Sequence, residues 1–387
     1  MLHKNTPAPV IELPPLALYV HIPWCIRKCP YCDFNSHAAN GELPVEAYTK
    51  ALISDLKNDI HFVQGRKLGS IFFGGGTPSL FPASAIEQIL RLAENLIGFE
   101  QGIEISLEVN PGASEYSNFD QLYRAGVNRL SFGAQSFNNE HLQRLGRIHS
   151  ANEIGQAVNN AVRAGFSNFN IDLMHGLTEQ SPEQALDDLQ QAMELQPSHL
   201  SWYQLTIEAN TAYYQNPPTL PSDDVLADIQ DAGHELLEQH GFSQYEVSAY
   251  AQEGKQSKHN LNYWRFGDYL AIGAGAHGKI TIAAHNEIQR LNKTRAPQDY
   301  MAVDWSKPAK TTKITRDELA LEFMMNALRL NEGVSIQLFE TRTGLGRVSI
   351  DNALKTLATQ GLLEGAEQHI KLTKLGRRFL NDALAAF

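Results

Sequence analysis

Cysteine is scarce in this chain of 387 residues, which has only three. All three fall within one short stretch, at Cys25, Cys29 and Cys32, in the spacing C-x3-C-x2-C. An odd number of cysteines excludes a disulfide scheme that pairs every thiol within the chain, so these thiols serve another purpose. Free thiols are typical of a reducing compartment, and the sequence therefore predicts a cytoplasmic protein.

Long apolar runs and an excess of positive charge are also lacking. No stretch approaches the roughly 18 consecutive apolar residues that a membrane span needs. Residues 1–15 are broken by prolines and have no apolar segment of a secretory signal. Lys and Arg total 32 against 43 Asp and Glu, a formal net charge of −11, whereas nucleic-acid surfaces are usually basic. We therefore expect no membrane span and no nucleic-acid partner.

Three closely spaced thiolates favour a soft metal: zinc, copper(I) or an iron–sulfur cluster. A cluster of four irons normally takes four thiolates, so three would leave one iron open to a small chelating molecule. A structural zinc site is the alternative, with His21 or His37 as the fourth ligand. Zinc ligands usually come as two separated pairs, however, whereas here three crowd into one loop after an apolar strand. The spacing therefore favours the cluster.

Apolar strands alternate with helical segments through the first half of the chain. Six strand-then-helix units in succession predict a parallel α/β architecture. The strands are predicted at residues 16–22, 68–73, 103–109, 129–132, 168–174 and 199–207, with helices at 48–63, 84–96, 119–124, 152–164 and 182–195.

Polar residues stand in or just after several of these strands. In parallel α/β folds, functional groups gather at the C-terminal ends of the strands. A carboxylate inside an apolar strand is costly unless it is paired or hydrogen-bonded. Each residue taken singly could be solvated or internally bridged, but their joint placement at one rim indicates a binding site. The set comprises Glu108, Gln135, Arg147 and Asp172.

A run of three glycines, Gly74 to Gly76, directly follows the second predicted strand. It could form a tight turn, because glycine tolerates positive φ. It could also allow the backbone to approach a ligand closely, which a Cβ would prevent. Its position after the second strand, in a chain whose first strand ends in the cysteine motif, favours the ligand.

The cysteine spacing and the glycine run, which continues as Gly-Gly-Gly-Thr-Pro, together resemble the radical S-adenosylmethionine (SAM) superfamily. In that superfamily three cysteines hold a [4Fe–4S] cluster, and SAM chelates the fourth iron through its amino and carboxylate groups. The resemblance implies both cofactors. It also implies an α/β fold, the partial (β/α)6 barrel that resembles an open TIM barrel.

Further motifs are similar to those of the oxygen-independent coproporphyrinogen III dehydrogenase HemN and its relatives, the HemW-type haem chaperones. Between residues 19 and 207 they follow in order: Gly-Gly-Gly-Thr-Pro, Glu-Val-Asn-Pro, Gly-Ala-Gln-Ser-Phe, Arg-Leu-Gly-Arg and Asn-Ile-Asp-Leu-Met-His-Gly-Leu. The resemblance implies that Tyr19 lies near the methionyl end of SAM. The implied contacts to the rest of SAM come from the backbone of Gly75, Gly76 and Thr77 and from Glu108, Gln135, Arg147 and Asp172.

After a proline-rich loop, a helix is predicted at residues 222–239 and a strand at 244–249. The segment His259-Asn260-Leu261-Asn262-Tyr263-Trp264 follows. It could be an ordinary wet surface loop, or a histidine ligand with an aromatic platform for a flat macrocycle such as haem. It resembles the His-Asn-x-x-Tyr-Trp motif of the HemW-type chaperones, which implies haem contacts from His259, Tyr263 and Trp264. His277 is the second candidate ligand.

The chain is expected to divide into an N-terminal segment (1–15), the radical SAM core (16–250), a connecting segment (251–309) and a C-terminal domain (310–387). Helices predicted at 317–328, 335–341 and 348–360, before a strand at 370–372, are typical of a small winged-helix-like domain. DNA binding is the alternative, but the domain has 11 Lys and Arg against 9 Asp and Glu, too few cations for a reader of phosphates. We expect it to cover the open side of the barrel.

The resemblance implies a haem chaperone that hands haem to acceptor haemoproteins, including transient contact with those in membranes, and an electron donor such as a flavodoxin or ferredoxin. The alternative is a coproporphyrinogen III dehydrogenase, and a regulator that senses iron–sulfur status is a third class. The dehydrogenase has a further cysteine two residues after the third cluster ligand, where this chain has Phe34. It also has a longer N-terminal segment. Both differences favour the chaperone.

Overall fold

The structure is a computed structural model that describes residues 9–112, 118–365 and 367–387. Its strands in these ranges are β1 (Leu16–Ile22), β2 (Trp24–Cys25), β3 (His37–Ala38), β4 (Leu68–Gly75), β5 (Phe99–Val109), β6 (Arg129–Gln135), β7 (Phe169–His175), β8 (His199–Gln204), β9 (Ser243–Glu246), β10 (Ala249–Ala251), β11 (Asp268–Ile272), β12 (His277–Ile282), β13 (Glu287–Asn292), β14 (Thr311–Lys313), β15 (Val334–Ser335) and β16 (His369–Ile370).

The helices in the same ranges mostly connect successive strands. They are α1 (Val45–Asp59), α2 (Ala83–Leu96), α3 (Phe119–Ala125), α4 (Asn139–Arg144), α5 (Ala151–Arg163), α6 (Pro182–Glu194), α7 (Ala212–Gln215), α8 (Asp223–Gln239), α9 (Lys258–Trp264), α10 (Pro297–Met301), α11 (Arg316–Ala327), α12 (Ile336–Thr343), α13 (Asp351–Thr359), α14 (Lys374–Arg378) and α15 (Leu380–Leu384). None of the helices in the described ranges is long and apolar enough to span a membrane.

The main sheet has twelve strands in the spatial order β14-β13-β12-β11-β1-β4-β5-β6-β7-β8-β10-β9. Within it, β1 and β4 to β8 are parallel neighbours. The predicted parallel α/β partial barrel is therefore confirmed. Because parallel strands end together, the residues that follow them meet at one rim.

The two faces of the barrel strands differ in what they bury. On β4, Ile71 and Phe73 join the main apolar core, together with residues of the surrounding helices such as Leu56 of α1 and Ile86 of α2. The alternate β4 residues Ser70 and Phe72 face the barrel interior, where both contact His259. Because successive side chains of a strand point to opposite faces, one polar and one aromatic side chain of β4 lie on the inner face while Ile71 and Phe73 lie in the core.

Residues 251–309, treated above as a connecting segment, extend the barrel sheet. Strand β11 pairs in parallel with β1, on the side opposite β4. Strands β12 and β13 then continue the sheet in antiparallel fashion, and β14 adds its last strand. The sequence reasoning did not predict these strands, which place His277 next to the cysteine end of the barrel.

The C-terminal domain has an apolar core of its own. Helices α11, α12 and α13 pack around Phe323, Phe339 and Leu357, and β15 pairs with β16. The expected small helical domain with a short sheet is therefore confirmed. The described part of the N-terminal segment also packs here, since Ile11 is 2% exposed within this core.

Most element bounds differ from the predicted ones by a few residues, and three differences have clear causes. The strand predicted at 244–249 is a hairpin, β9 and β10, that turns at Val247 and Ser248. The helix predicted from 348 begins at Asp351, because residues 347–349 form a 3₁₀ turn. Strand β5 begins at Phe99, four residues before the predicted start, and residues 100–102 in this additional part are exposed.

Candidate cofactor-binding site

A tight loop at the C-terminal end of β1 carries the three cysteines. Strand β2 pairs in parallel with β3, so the two ends of the loop lie side by side. Within the loop, the Cys32 amide donates to the Cys29 carbonyl at 3.2 Å. Lys28 Nζ donates to the carbonyls of Phe34 and Ser36, each at 3.2 Å. The thiols are therefore held by a backbone that is fixed by local hydrogen bonds.

A cavity of about 400 Å³ joins this loop to the C-terminal rim of the barrel. We call it the cysteine cavity; its volume lies in the range of small-molecule sites. It is lined by all three cysteines and by seven of the eight residues that the resemblance assigns to SAM, and their roles in binding stay predictions. The seven are Gly75, Gly76, Thr77, Glu108, Gln135, Arg147 and Asp172.

The chemistry of the thiols fits an iron–sulfur cluster. Burial raises the pKa of Cys25, a hydrogen bond with Thr77 opposes this, and the neighbouring Cys32 and Cys29 raise the pKa further. A thiolate here therefore needs a positive partner, and soft thiolates suit iron in a cluster. Each cluster thiolate binds its own iron, so the three sulfurs need not converge on one point.

The two candidate fourth ligands of the zinc alternative differ in their hydrogen bonds. His21, one candidate fourth ligand, uses both ring nitrogens: Nδ1 bonds to the Tyr19 hydroxyl at 2.9 Å and Nε2 to the Asn35 carbonyl at 3.0 Å. His37, the other candidate, lies on β3 at the end of the cysteine loop.

The glycine run packs closely against β1 and the cysteine loop. A Cβ on Gly76 would lie 2.5 Å from the Trp24 carbonyl oxygen, and one on Gly75 would lie 2.4 Å from the His21 ring. Gly75 also has a φ of 115°, which side-chain-bearing residues rarely adopt. The glycines are therefore required for close contact between β4 and the cysteine loop.

The amides of the same segment already have partners. The Gly75 amide donates to Glu108 Oε2 at 3.1 Å. The Gly76 amide donates to the Ile22 carbonyl at 2.8 Å, and the Thr77 amide donates to the Trp24 carbonyl at 2.7 Å. A ligand amino group, which is a donor, would therefore bind through the carbonyl oxygens of this segment.

Of the four carboxyl groups that line the cavity, Glu108 and Asp172 lie on barrel strands, and neither takes part in a salt bridge among the described residues. Burial, together with the nearby Asp172, raises the pKa of Glu108 from its ordinary value of 4.5 to about 8. Burial also raises the pKa of Asp172, although Asn170 and Ser131 oppose this by donating to it at 2.7 and 2.9 Å. A cationic ligand would lower the pKa of both carboxyl groups, because it favours their charged form. SAM has two such cationic groups, an ammonium and a sulfonium.

Arg147 connects the thiols to the rim of the barrel. Its Nη1 lies 3.8 Å from Cys29 Sγ, and its Nη2 donates to Asn110 Oδ1 and to the Gly133 carbonyl, both at 2.6 Å. Its Nε is buried without a hydrogen-bond partner in the described structure. Since guanidinium donors favour carboxylates, Arg147 fits the carboxylate end of a ligand.

Gln135 is held in an unusual conformation at the end of β6. Its φ is 71°, in the left-handed region. Its Oε1 accepts from the Tyr203 hydroxyl at 2.6 Å, which fixes the side-chain amide in the cavity wall. Strain of this kind is common where the surrounding structure holds a side chain for a ligand.

The sequence reasoning missed the supporting residues of the site. Asn110 holds Arg147, Tyr203 holds Gln135, and Ser131 holds Asp172. Asn110 had a usable signal, because it follows a strand directly in the Asn-Pro pair. Tyr203 and Ser131 lie within strands, where the inward face could not be assigned without the register.

Tyr19 is the one predicted SAM residue that lies outside the cysteine cavity. It lines a second cavity next to the first, together with Tyr263 and His277. Its ring stacks on Phe72 at 6.3 Å between centroids. The two cavities have Gly75 and Glu108 in common in their linings, and the role of Tyr19 toward SAM stays a prediction.

The predicted haem residues do not lie on one accessible surface. His259 is 2% exposed and faces the barrel interior, where Nδ1 bonds to Ser70 Oγ at 3.1 Å and the ring stacks on Phe72. Burial lowers the pKa of His259 to about 3. The alternative of a wet surface loop does not hold, because the segment is the helix α9 and His259 on it is buried. His259 is thus closed off from solvent, its Nε2 is buried without a hydrogen-bond partner in the described structure, and its role as a haem ligand stays a prediction.

The two aromatic residues of the motif diverge. Tyr263 packs edge-on against His259 and lines the second cavity. Trp264 instead packs with the core of the C-terminal domain, where the Arg329 guanidinium lies 4.3 Å from its ring. Of the three, Tyr263 lines the second cavity, whereas His259 and Trp264 line neither this cavity nor the cysteine cavity.

The parallel partial barrel with three clustered thiols at its C-terminal rim defines a radical SAM protein. Residues 19–189 match the Radical SAM superfamily model, and residues 314–379 match that of the HemN C-terminal domain. The chain is 50% identical to the Heme chaperone HemW of Haemophilus influenzae, over 97% of this chain and 98% of that protein. It is 48% identical to the Heme chaperone HemW of Escherichia coli, over 98% and 99%. The chain therefore belongs to the HemW family of the radical SAM superfamily.

A solved structure shares the fold across both domains. The structure described as "Coproporphyrinogen III oxidase (HemN) from Escherichia coli is a Radical SAM enzyme" aligns with a TM-score of 0.81 and 25% identity, covering 97% of this chain and 90% of that one. Family membership implies a [4Fe–4S] cluster and SAM, and the residues of the cysteine cavity fit both.

Proposed function

We propose that the protein is a haem chaperone that binds a [4Fe–4S] cluster, SAM and haem and transfers haem to acceptor haemoproteins. The observation that carries this proposal is the near-full-length identity of 48–50% to two proteins named Heme chaperone HemW. The cysteine cavity supports the cofactor part, because the three thiols, Glu108, Asp172 and Arg147 all line it.

In this proposal Cys25, Cys29 and Cys32 hold the cluster, and a reduced cluster supplies the electron for SAM chemistry when both are bound. Arg147, fixed by Asn110 and the Gly133 carbonyl, orients the carboxylate of SAM. Glu108 and Asp172 lie where cationic groups of SAM would be stabilised. Burial and the nearby Asp172 raise the pKa of Glu108, and a cation of SAM would lower this pKa again because it favours the charged carboxylate.

We further propose a cytoplasmic location and an electron donor of the flavodoxin or ferredoxin type. The cysteine loop offers a surface for such a partner. Ile26 is 43% exposed, and Arg27 and Lys28 beside it are also exposed. Cations around an apolar centre suit an acidic protein that must approach the cluster closely.

A coproporphyrinogen III dehydrogenase is the second candidate. The structural similarity to HemN over both domains favours it. Against it, Phe34 stands where the resemblance places a further cysteine of the dehydrogenases, and the identity to that structure is half of that to the HemW proteins.

Anaerobically prepared protein with its cluster should separate the two candidates. We expect haem to bind at about one per chain, as one occupied site requires. We expect no conversion of coproporphyrinogen III in the presence of SAM and reductant, with HemN from Escherichia coli as the positive control. Formation of protoporphyrinogen by the wild-type protein would overturn the chaperone assignment.

A further inference from the structure

The second cavity, which we call the His277 cavity, has a volume of about 500 Å³ and opens beside the cysteine cavity. The two share a wall formed by Asp33, Phe34, Gly75 and Glu108. Neither the family model nor the names of the relatives assign a ligand to it.

The His277 cavity has aromatic walls. Phe34 lines the cavity and is 60% exposed. Tyr263 packs against Tyr269 with ring centroids 4.2 Å apart, and both line the cavity with Tyr19. Such walls suit a flat, largely apolar molecule.

One exposed imidazole and one exposed guanidinium complete the cavity. His277 begins β12 and lines the cavity, where its backbone is held opposite Asn292 in the sheet. The other imidazole in this lining, His21, uses both nitrogens in hydrogen bonds. Arg295 also lines the cavity and is exposed. Iron in a macrocycle takes an imidazole nitrogen, and the carboxylates of haem take a guanidinium.

We infer that the His277 cavity is the haem site, with His277 as the axial ligand, Arg295 paired with a propionate, and the Phe34 and Tyr263 rings against the macrocycle. This inference rests on the proposed haem function and replaces His259 as the ligand. His259 and Trp264 then have structural roles: one packs the barrel interior, and the other joins α9 to the C-terminal domain.

The site is tied to the cysteine loop by Asn35. Its Nδ2 donates to the carbonyls of Ala274 and Arg295, both at 2.9 Å, and its carbonyl accepts from His21. The chain segment that leads into His277 and the loop that carries the thiols are therefore joined. Haem in this cavity would lie against the same wall as the cluster and SAM.

The test uses cluster-loaded full-length protein and two probes, ferric haem and metal-free protoporphyrin IX, each followed by difference absorption spectra. His277→Ala should weaken ferric haem binding at least about tenfold, while protoporphyrin IX binding changes little, because only iron needs the axial bond. Arg295→Gln should weaken both probes severalfold, since both carry propionates. His285→Ala is the matched control: His285 is exposed on the same β-hairpin but does not line the cavity.

The outcomes separate the inference from the proposed function. Absence of haem binding by the wild type would overturn both. If the wild type binds ferric haem and His277→Ala binds it as tightly as the His285→Ala control does, the His277 assignment alone is wrong. If His277→Ala weakens the binding of ferric haem and of protoporphyrin IX equally, His277 is a residue of the cavity wall and not an axial ligand. Unchanged cluster content in the variants, together with the selective loss of ferric haem, supports the site.

Discussion

Replacement of any one of Cys25, Cys29 or Cys32 by Ala is expected to abolish the iron–sulfur cluster. Anaerobically reconstituted wild-type protein should contain about four irons and show the broad visible absorption of a [4Fe–4S] centre. The cavity supplies three thiols, so each substitution leaves two protein ligands for a cluster that already lacks a fourth thiolate. Iron content and the visible spectrum measure the loss.

The matched control for this experiment is His37→Ala. His37 lies at the end of the same loop and is the candidate fourth ligand of the zinc alternative. We expect its replacement to leave the iron content unchanged. Stoichiometric zinc in oxygen-free preparations, lost in both the Cys and the His37 variants, would contradict the cluster.

Truncation of Glu108, Arg147 or Asp172 is expected to weaken SAM binding while the cluster survives. None of the three is a soft metal ligand, and each presents a charged or hydrogen-bonding group to the cysteine cavity. Loss of one charge-assisted contact costs roughly 1.5–3 kcal/mol, which is about a tenfold to hundredfold increase in Kd. Equilibrium binding of SAM to cluster-loaded variants measures this directly.

Arg144→Ala is the control for Arg147→Ala. Arg144 lies three residues earlier, is about 42% exposed and pairs with Glu179, and it does not line the cavity. SAM affinity should be unchanged by its loss. If the three cavity variants bound SAM as tightly as Arg144→Ala does, the assignment of this cavity to SAM would be wrong.

The sequence was informative where a short motif and the barrel topology act together. Strand β1 was predicted with its observed bounds, and the thiols lie at its C-terminal end as expected. Glu108, Gln135, Arg147 and Asp172 converge in one cavity because parallel strands end together. The resemblance supplied the identities of these residues, and the topology explains why they meet.

The haem motif shows why the rest could not be predicted. A six-residue segment with two asparagines gave no helical periodicity, yet it forms α9. In a helix His259 and Tyr263 share a face, but Trp264 lies about 140° away from His259 around the axis. Which face meets the barrel and which meets the C-terminal domain depends on long-range packing, notably on Ser70 and Arg329.

The extension of the sheet by β11 to β14 was also outside the reach of sequence reasoning. These strands are short, and β11 pairs with β1, which lies some 250 residues away in sequence. Pairing partners at such separation leave no local pattern. The position of His277 beside the cysteine loop follows only from that pairing.

Haem delivery tests the central claim most directly. Protein loaded with the cluster and one haem is added anaerobically to membranes and to soluble extract from haem-depleted cells, and the restored haemoprotein spectrum is compared with that given by the same amount of free haem. The account predicts faster restoration from the loaded protein, at a rate that rises with acceptor concentration and is lost in His277→Ala. Restoration no faster than from free haem, and independent of acceptor concentration, would contradict it.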